Sequence, residues 1–212
     1  MVHWTEPRQR EHSHENFPPH DAKPVRAFVA IRMSEQVEDA VAAVIDAIRR
    51  PSDGVRWVPR ANLHITLKFL GPSVDPHRLE RLTAGLHEVA RKTAPFEVAA
   101  RGLGAFPNLE HPRAIWVGLH SVELGALAAR VETAGAEYGF ERENRRWSGH
   151  LTIGRLRDKH HLTASTREAL DDAKETEFGS SKIESITLYR SHLGPEAASY
   201  EALATFLFHH VR

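Results

Sequence analysis

Apolar and polar residues alternate one by one along residues 62–71. His64, Thr66 and Lys68 share one face and Ile65, Leu67 and Phe69 the other, which is the period of a half-buried strand. The alternation returns at 149–155, where His150 and Thr152 share a face. β-Branched and aromatic content predicts further strands at 25–31, 55–58, 96–103, 113–119, 182–190 and 200–211. Helical spacing fills the gaps between them. Ser34 is placed to N-cap a helix carrying Val37, Ala40, Val41, Val44, Ile45 and Ile48, which Pro51, Asp53 and Gly54 end. A second helix is expected over 75–92 with Leu79, Leu82, Leu86 and Val89 on one stripe, and a third over 122–138. A fourth covers 163–174, where Ser165 and Glu168 have capping-box spacing. Phe106-Pro107-Asn108 reads as a turn.

The order is β-α-β-α-β twice, over 25–108 and 113–190. The opening strands stand 87 positions apart (Arg26, Arg113) and the two strand histidines 86. Duplicated units packed about a pseudo-two-fold axis would aim His64 and His150 into one cleft. Residues 1–24, rich in His and Pro and without a hydrophobic period, read as an extension lacking regular structure. Residues 25–212 then form a single domain.

Composition narrows the chemistry. A chain of 212 residues can bury a full core. Lys plus Arg equals Asp plus Glu at 28 each, so the chain has no overall cationic field and any phosphate site must be a local cluster. The absence of cysteine excludes disulfides, thiolate zinc sites and cysteine nucleophiles. No apolar run approaches the roughly 20 residues of a membrane span, and the N-terminus lacks a signal-peptide core. A soluble, cytoplasmic protein is expected, with no membrane partner.

The tripeptide His-x-Thr is by itself a weak signal. It recurs at His161-Leu162-Thr163, which follows a polar run and reads as loop and helix cap. The pairs His64/Thr66 and His150/Thr152 differ in context, because each lies in an apolar strand at the same place in the repeat. A buried pair that merely satisfies its own polar atoms is the competing role for either strand alone. Two imidazoles facing one point suit in-line displacement at phosphorus. A neutral ring takes a proton from the attacking oxygen, and a protonated one gives a proton to the departing oxygen. Each threonine hydroxyl can donate to a non-bridging phosphate oxygen. No metal or cofactor is called for. The 15 histidines show no HExxH or similar ligand spacing, and His12-Ser13-His14 reads as part of a solvated tail.

Arg155 offers a forked guanidinium to phosphate, but strict alternation puts it opposite His150. It reaches the cleft only if the strand ends or bulges at Gly154. Lys68 falls on the histidine face, where it either adds positive charge or is a solvated strand-end lysine. Trp57, Phe69, Trp116 and Trp147 are candidates to stack a base, with core packing the competing role for most. Phe106 reads as core or cleft wall.

Taken in order, these residues resemble a known family. The segments are Arg56-Trp57-Val58-Pro59, residues 62–71, Phe106-Pro107-Asn108, Trp116-Val117-Gly118, residues 150–155 and Leu188-Tyr189-Arg190-Ser191. From Val25 onward the chain resembles the two-histidine (2H) phosphoesterases, in particular the RNA 2′,3′-cyclic phosphodiesterases once described as 2′-5′ RNA ligases. The resemblance implies an α+β bilobal fold with two antiparallel sheets lining a cleft. It implies metal-independent hydrolysis of RNA 2′,3′-cyclic phosphate ends to 2′-phosphates. In that role His64 corresponds to the general acid and His150 to the general base. Thr66 and Thr152 correspond to phosphate-binding hydroxyls and Arg155 to an arginine that follows the second motif. The expected partner is RNA with a cyclic phosphate end, tRNA fragments and small cyclic nucleotides included, acted on by a monomer. The same site run in reverse, as an ATP-independent 2′-5′ RNA ligase, and a non-catalytic RNA-end binder are the alternatives.

Overall fold

Six of the seven residues of the first strand, β1 (Val25–Ile31), are buried, because it is an interior strand with a partner along each edge. The computed structural model describes residues 17–19, 22–156, 161–194 and 198–209. Most of the extension 1–24, His12 to His14 included, lies outside the described residues. Within it, Phe17 packs against the core.

After β1 come α1 (Glu35–Ile48), β2 (Val55–Trp57), a 3-10 turn (Arg60–Asn62), β3 (Ile65–Val74), α2 (Pro76–Arg91) and β4 (Phe96–Phe106). The second half holds β5 (Ala114–His120), α3 (Val122–Glu137), β6 (His150–Leu156), α4 (Ala164–Asp172), β7 (Glu177–Ile183), β8 (Ser185–Leu193) and β9 (Ala198–Leu207). The fold is α+β. One sheet has the order β3-β1-β8-β9 and the other β2-β6-β5-β4-β7, with every pairing antiparallel. Setting β3 against β6, β1 against β5, β8 against β4 and β9 against β7 superposes the two orders, with β2 as the extra edge. The halves are therefore related by a pseudo-two-fold. They are also interlocked, since each repeat sends its last strand into the other sheet, β4 beside β5 and β8 beside β1.

The helices cover one face of each sheet. Helices α2 and α3 pack together on the first sheet, while α1 and α4 lie against the second. Leu79, Leu82 and Leu86 of α2 are fully buried, each stabilising the fold by about 1.5–3 kcal/mol in area removed from water. Asp75 caps α2, accepting from the His77 amide at 2.9 Å. Among the described residues no helix is long and apolar enough to cross a membrane.

Several local expectations are corrected. Strand β3 runs on to Val74 past Gly71-Pro72, which an edge strand tolerates because one side of its backbone needs no partner. The strand expected at 182–190 is two strands meeting at Glu184, where the chain crosses from one sheet to the other. Strand β7 escapes the pattern because Gly179, Ser180 and Ser181 carry no apolar alternation. Ser34 stands at the N-cap of α1 without capping it by its side chain; it is engaged with Ser181 instead. Helix α4 is capped by Thr163 rather than through Ser165 and Glu168. The buried Asp53 carboxylate reaches that helix start from a distance, accepting from the Thr163 amide at 2.9 Å and the Thr166 hydroxyl at 2.6 Å.

Lys68 is neither solvated nor on the histidine face. Ala30 pairs with Thr66 and Val29 with Lys68, so Leu67 is an extra residue, a β-bulge that shifts the alternation by one. Leu67 and Lys68 are consequently both buried. The Lys68 ammonium donates to both carboxylate oxygens of Glu132, at 2.9 and 2.8 Å, and to the Glu141 carbonyl at 2.8 Å. Gly135 of α3 makes room for it, since a Cβ there would come within 2.6 Å of Lys68 Cε.

Lys68→Ala should destabilise the protein by about 3 kcal/mol, the low end for breaking a buried ion pair because Glu132 keeps some contact with water. Lys68→Met combined with Glu132→Leu should recover most of that. Urea midpoints of the two variants measure both effects; an unchanged midpoint for Lys68→Ala would contradict the buried pair.

Candidate active site

His64 stands one residue ahead of β3, where the chain leaves the 3-10 turn. Its Nδ1–H donates to the Asn62 carbonyl two residues back, at 2.7 Å. A carbonyl can only accept, so this bond puts the proton on Nδ1 and leaves Nε2 for chemistry. The turn is held on both sides. The Asn62 side-chain amide donates to the Ala198 carbonyl at the start of β9. Arg32 donates to the Ala61 carbonyl at 3.2 Å while its fork grips buried Glu38 at 2.9 and 2.6 Å.

His150 opens β6 and repeats the arrangement: its Nδ1–H donates to the Ser148 carbonyl, again two residues back, at 2.8 Å. Each imidazole also meets an aromatic ring edge to face. Tyr200 does this for His64 at 5.0 Å between centroids, and Phe106 for His150 at 5.1 Å. Phe28 adds a tilted contact on His64 at 4.8 Å.

Both histidines line one cavity of about 640 Å³, together with Thr66, Thr152 and Arg155. Arg155 reaches it through a second bulge. Trp116 pairs with Thr152 and Ile115 with Gly154, so Ile153 is the extra residue of β6. Ile153 and Gly154 are both buried as a result, and the residue after them turns toward the His150 side. A side chain at position 154 would not fit, since its Cβ would lie 2.8 Å from Val55 and 3.1 Å from the Trp57 ring. The bulge after Thr152 and the bulge after Thr66 stand 86 positions apart, as the histidines do. In β3 the residue so turned is Phe69, which lines the cavity instead of the core face it was expected on.

Of the other singled-out residues, Trp57 lines the cavity and Phe106 borders it through His150, while Trp116, Trp147 and Lys68 do not line it. Trp147 donates its indole N–H to the Thr66 carbonyl at 3.1 Å, a supporting bond beneath the threonine. Arg26 and Tyr200 were singled out for no role by sequence, while Arg56, Asn62 and Ser191 entered only as members of motif segments; all five line the cavity. Arg26 could have been found, because it shares a strand face with Phe28. Tyr200 could not, because it arrives from a strand of another part of the chain.

Among the described residues no carboxylate lines this cavity, whereas Arg26, Arg56 and Arg155 do. Among the described residues none of the three has a carboxylate partner. A chain of zero formal charge thus holds a local cationic pocket suited to a phosphate. Burial pushes the His64 pKa below its ordinary value, and the positive charges of Arg155, Arg32 and His150 act the same way. The bond to the Asn62 carbonyl opposes them in part. Among the described residues no group of three or more His, Cys, Asp or Glu side chains is arranged to hold a metal ion.

The chain and its fold find counterparts in known proteins. The family model described as the 2′-5′ RNA ligase superfamily matches residues 37–195. An RNA 2′,3′-cyclic phosphodiesterase of Methanothermobacter thermautotrophicus is 31% identical over 183 residues, covering 86% of this chain and 98% of the relative. One from Archaeoglobus fulgidus is 33% identical over 183 residues, covering 86% and 99%. Among solved structures, a Thermus thermophilus protein superposes with a TM-score of 0.74 at 27% identity, covering 86% of this chain and 97% of its own. Escherichia coli LigT, crystallised with 3′-AMP, shares the fold with a TM-score of 0.70 at 22% identity, covering 87% and 98%.

Because burial, and to a smaller extent Arg155, hold the His64 pKa down, its imidazole should titrate below the ordinary histidine value in the free protein. Arg155→Met should raise that pKa, since it removes a positive charge that disfavours protonation. Two-dimensional NMR of the imidazole resonances against pH reads both. A fall, or no change, in the variant would contradict the electrostatic coupling.

Proposed function

The chain belongs to the 2′-5′ RNA ligase superfamily, and from that premise we propose that its cleft hydrolyses RNA 2′,3′-cyclic phosphate ends to 2′-phosphates, with His64 as general acid and His150 as general base. One observation carries the reading: two imidazoles on one cavity, each with Nδ1 tied to the carbonyl two residues back and Nε2 left available.

With the cyclic phosphate between the two rings, neutral His150 takes a proton from water at Nε2 as the water oxygen bonds to phosphorus. The bond from phosphorus to the ribose 3′ oxygen breaks on the far side, and His64 donates its Nε2 proton to that oxygen. The product is a 2′-phosphate with a free 3′-hydroxyl. Thr66, Thr152 and Arg155 face the non-bridging oxygens, where negative charge concentrates in the transition state. The carbonyl behind each Nδ1 suits either role, since it accepts from a neutral or a charged ring alike.

Equivalent backbone geometry does not make the histidines equal. His64 lies against Phe28 and Tyr200 with a depressed pKa. An acid with a depressed pKa is scarcely protonated in the free enzyme at neutrality. An anionic phosphate bound beside it favours the protonated form and raises that pKa, so the substrate itself arms the acid.

The fold's interlocked strands support treating residues 25–212 as one domain. A cavity completed within one chain supports a monomeric enzyme, and the lack of cysteine suits a cytoplasmic setting. On this reading the substrates include tRNA fragments with cyclic phosphate ends and small cyclic nucleotides. The family description names a 2′-5′ RNA ligase; on the same cyclic phosphate a 5′-hydroxyl in place of water would give that linkage with the histidine roles unchanged, His150 taking the hydroxyl proton as its oxygen bonds to phosphorus and His64 protonating the departing 3′ oxygen.

His64→Ala and His150→Ala should each lower turnover of a 2′,3′-cyclic-phosphate RNA end by about 10²–10⁴-fold, and activity should survive EDTA. Full activity of either variant would overturn the assignment. The alkaline limb of the pH profile should lie lower for kcat/KM, which reports the free enzyme, than for kcat, which reports the complex. Coincident limbs would contradict substrate-driven protonation of His64.

A further inference from the structure

The catalytic cavity has a second one beside it, with Phe69 in the lining of both. This neighbour, about 470 Å³, is lined by Phe69, Leu70, Gly71 and Pro72 of β3 and by the loop 141–145 between α3 and β6. Phe69 lines both cavities. It does so because the Leu67 bulge turns it out of the core, and the Arg26 guanidinium lies over its ring at 4.3 Å from the centroid.

The bulge also builds the opposite wall. It sends Lys68 inward, where the ammonium holds the Glu141 carbonyl at 2.8 Å, and the Lys68 partner Glu132 accepts from the Glu143 amide at 3.2 Å. A buried ion pair with no part in the proposed acid–base chemistry thus fixes the backbone of this loop beside Phe69. Its side chains are exposed. Arg142 and Arg145 make no hydrogen bond or ion pair among the described residues, while Glu141 and Glu143 share the loop.

The substrate dictates what such a neighbour would receive. An RNA whose 2′ and 3′ oxygens are closed into a cyclic phosphate continues only through the 5′ oxygen of that last nucleoside. The remainder of the strand must leave the catalytic cavity along one route. We propose that this route runs over Phe69, and that the second cavity is a subsite for the penultimate nucleotide of single-stranded RNA. Phe69 stacks a base on the ring face that Arg26 leaves open. Arg26 meets the connecting phosphodiester, and Arg142 and Arg145 meet the next one upstream. The inference rests on the cyclic phosphodiesterase reading and adds a preference for oligonucleotides over mononucleotides.

The test compares kcat/KM for adenosine 2′,3′-cyclic phosphate with that for a short RNA ending in the same group. The wild-type protein should favour the RNA by about tenfold to a hundredfold, the range one stacked base supplies. Arg142→Glu with Arg145→Glu should cut kcat/KM on the RNA about tenfold or more. It should also weaken the salt dependence by about 0.7 in logarithmic slope for each phosphate no longer neutralised, with the mononucleotide rate within about twofold of wild type. Arg142→Lys with Arg145→Lys should keep most of the preference. Equal treatment of both substrates by the wild type, an equal loss on both in the charge-reversed variant, or no loss on either overturns the subsite while leaving the phosphodiesterase reading in place. No turnover of either substrate overturns that reading and the subsite with it.

Discussion

A β-strand shows every second side chain to one face, whereas each wall of this cleft uses positions separated by two residues and then by three. His, Thr and the third residue after Thr cannot share a face of a regular strand. One extra residue inserted after the threonine resolves the conflict, at Leu67 in β3 and at Ile153 in β6. Everything else about the cleft depends on that parity change. It turns Arg155 and Phe69 into the cavity and leaves Gly154 and Lys68 facing away from it. The inward residue must then be either absent as a side chain or fully paired. The second half takes the first solution and the first half takes the other, with Glu132 and the Glu141 carbonyl as partners.

The two halves are alike in backbone and unlike in surroundings. Both imidazoles are held by a carbonyl two residues back and edge-on to an aromatic ring. His64, however, sits in a drier place and nearer more positive charge than an ordinary histidine experiences. Duplication supplies the opposed geometry, and local packing then makes the two sites different.

Much of this was readable in the chain. Long elements with strong periods, β1, α2 and the two histidine strands, lie where alternation and helical spacing put them, and the equal offset of the histidines anticipated the pseudo-two-fold. Arg155 was tied to a bulge at Gly154 and reaches the cavity by one beside it. Lys68 and Phe69 were misplaced for the same reason that Arg155 was placed: a bulge leaves no mark in the order of apolar and polar residues, and only the glycine hinted at one. Strand β7 was invisible because its Gly-Ser-Ser stretch has no apolar alternation. Tyr200 belongs to the site only through pairings between distant parts of the chain, which local pattern does not encode, and Ser191 was marked by its motif without its place in the cavity.

The exchanged strands also bear on how the molecule is made. Strand β1 has its inner neighbour, β8, about 160 positions further along the chain, as the pairing of Arg26 with Ser191 shows. As the polypeptide leaves the ribosome, β1 and β3 emerge early but keep an open hydrogen-bonding edge until residues 185–193 follow. The second sheet has β2, β4, β5 and β6 in hand by residue 156 and needs only β7 to finish. The wall bearing His150 can therefore be assembled while the wall bearing His64 is still incomplete. A nascent chain passes through a stage in which it owns half a cleft while β1 still waits for β8 and β4 for β7, so the stretch from β6 to β8 is where protection against misassembly matters most.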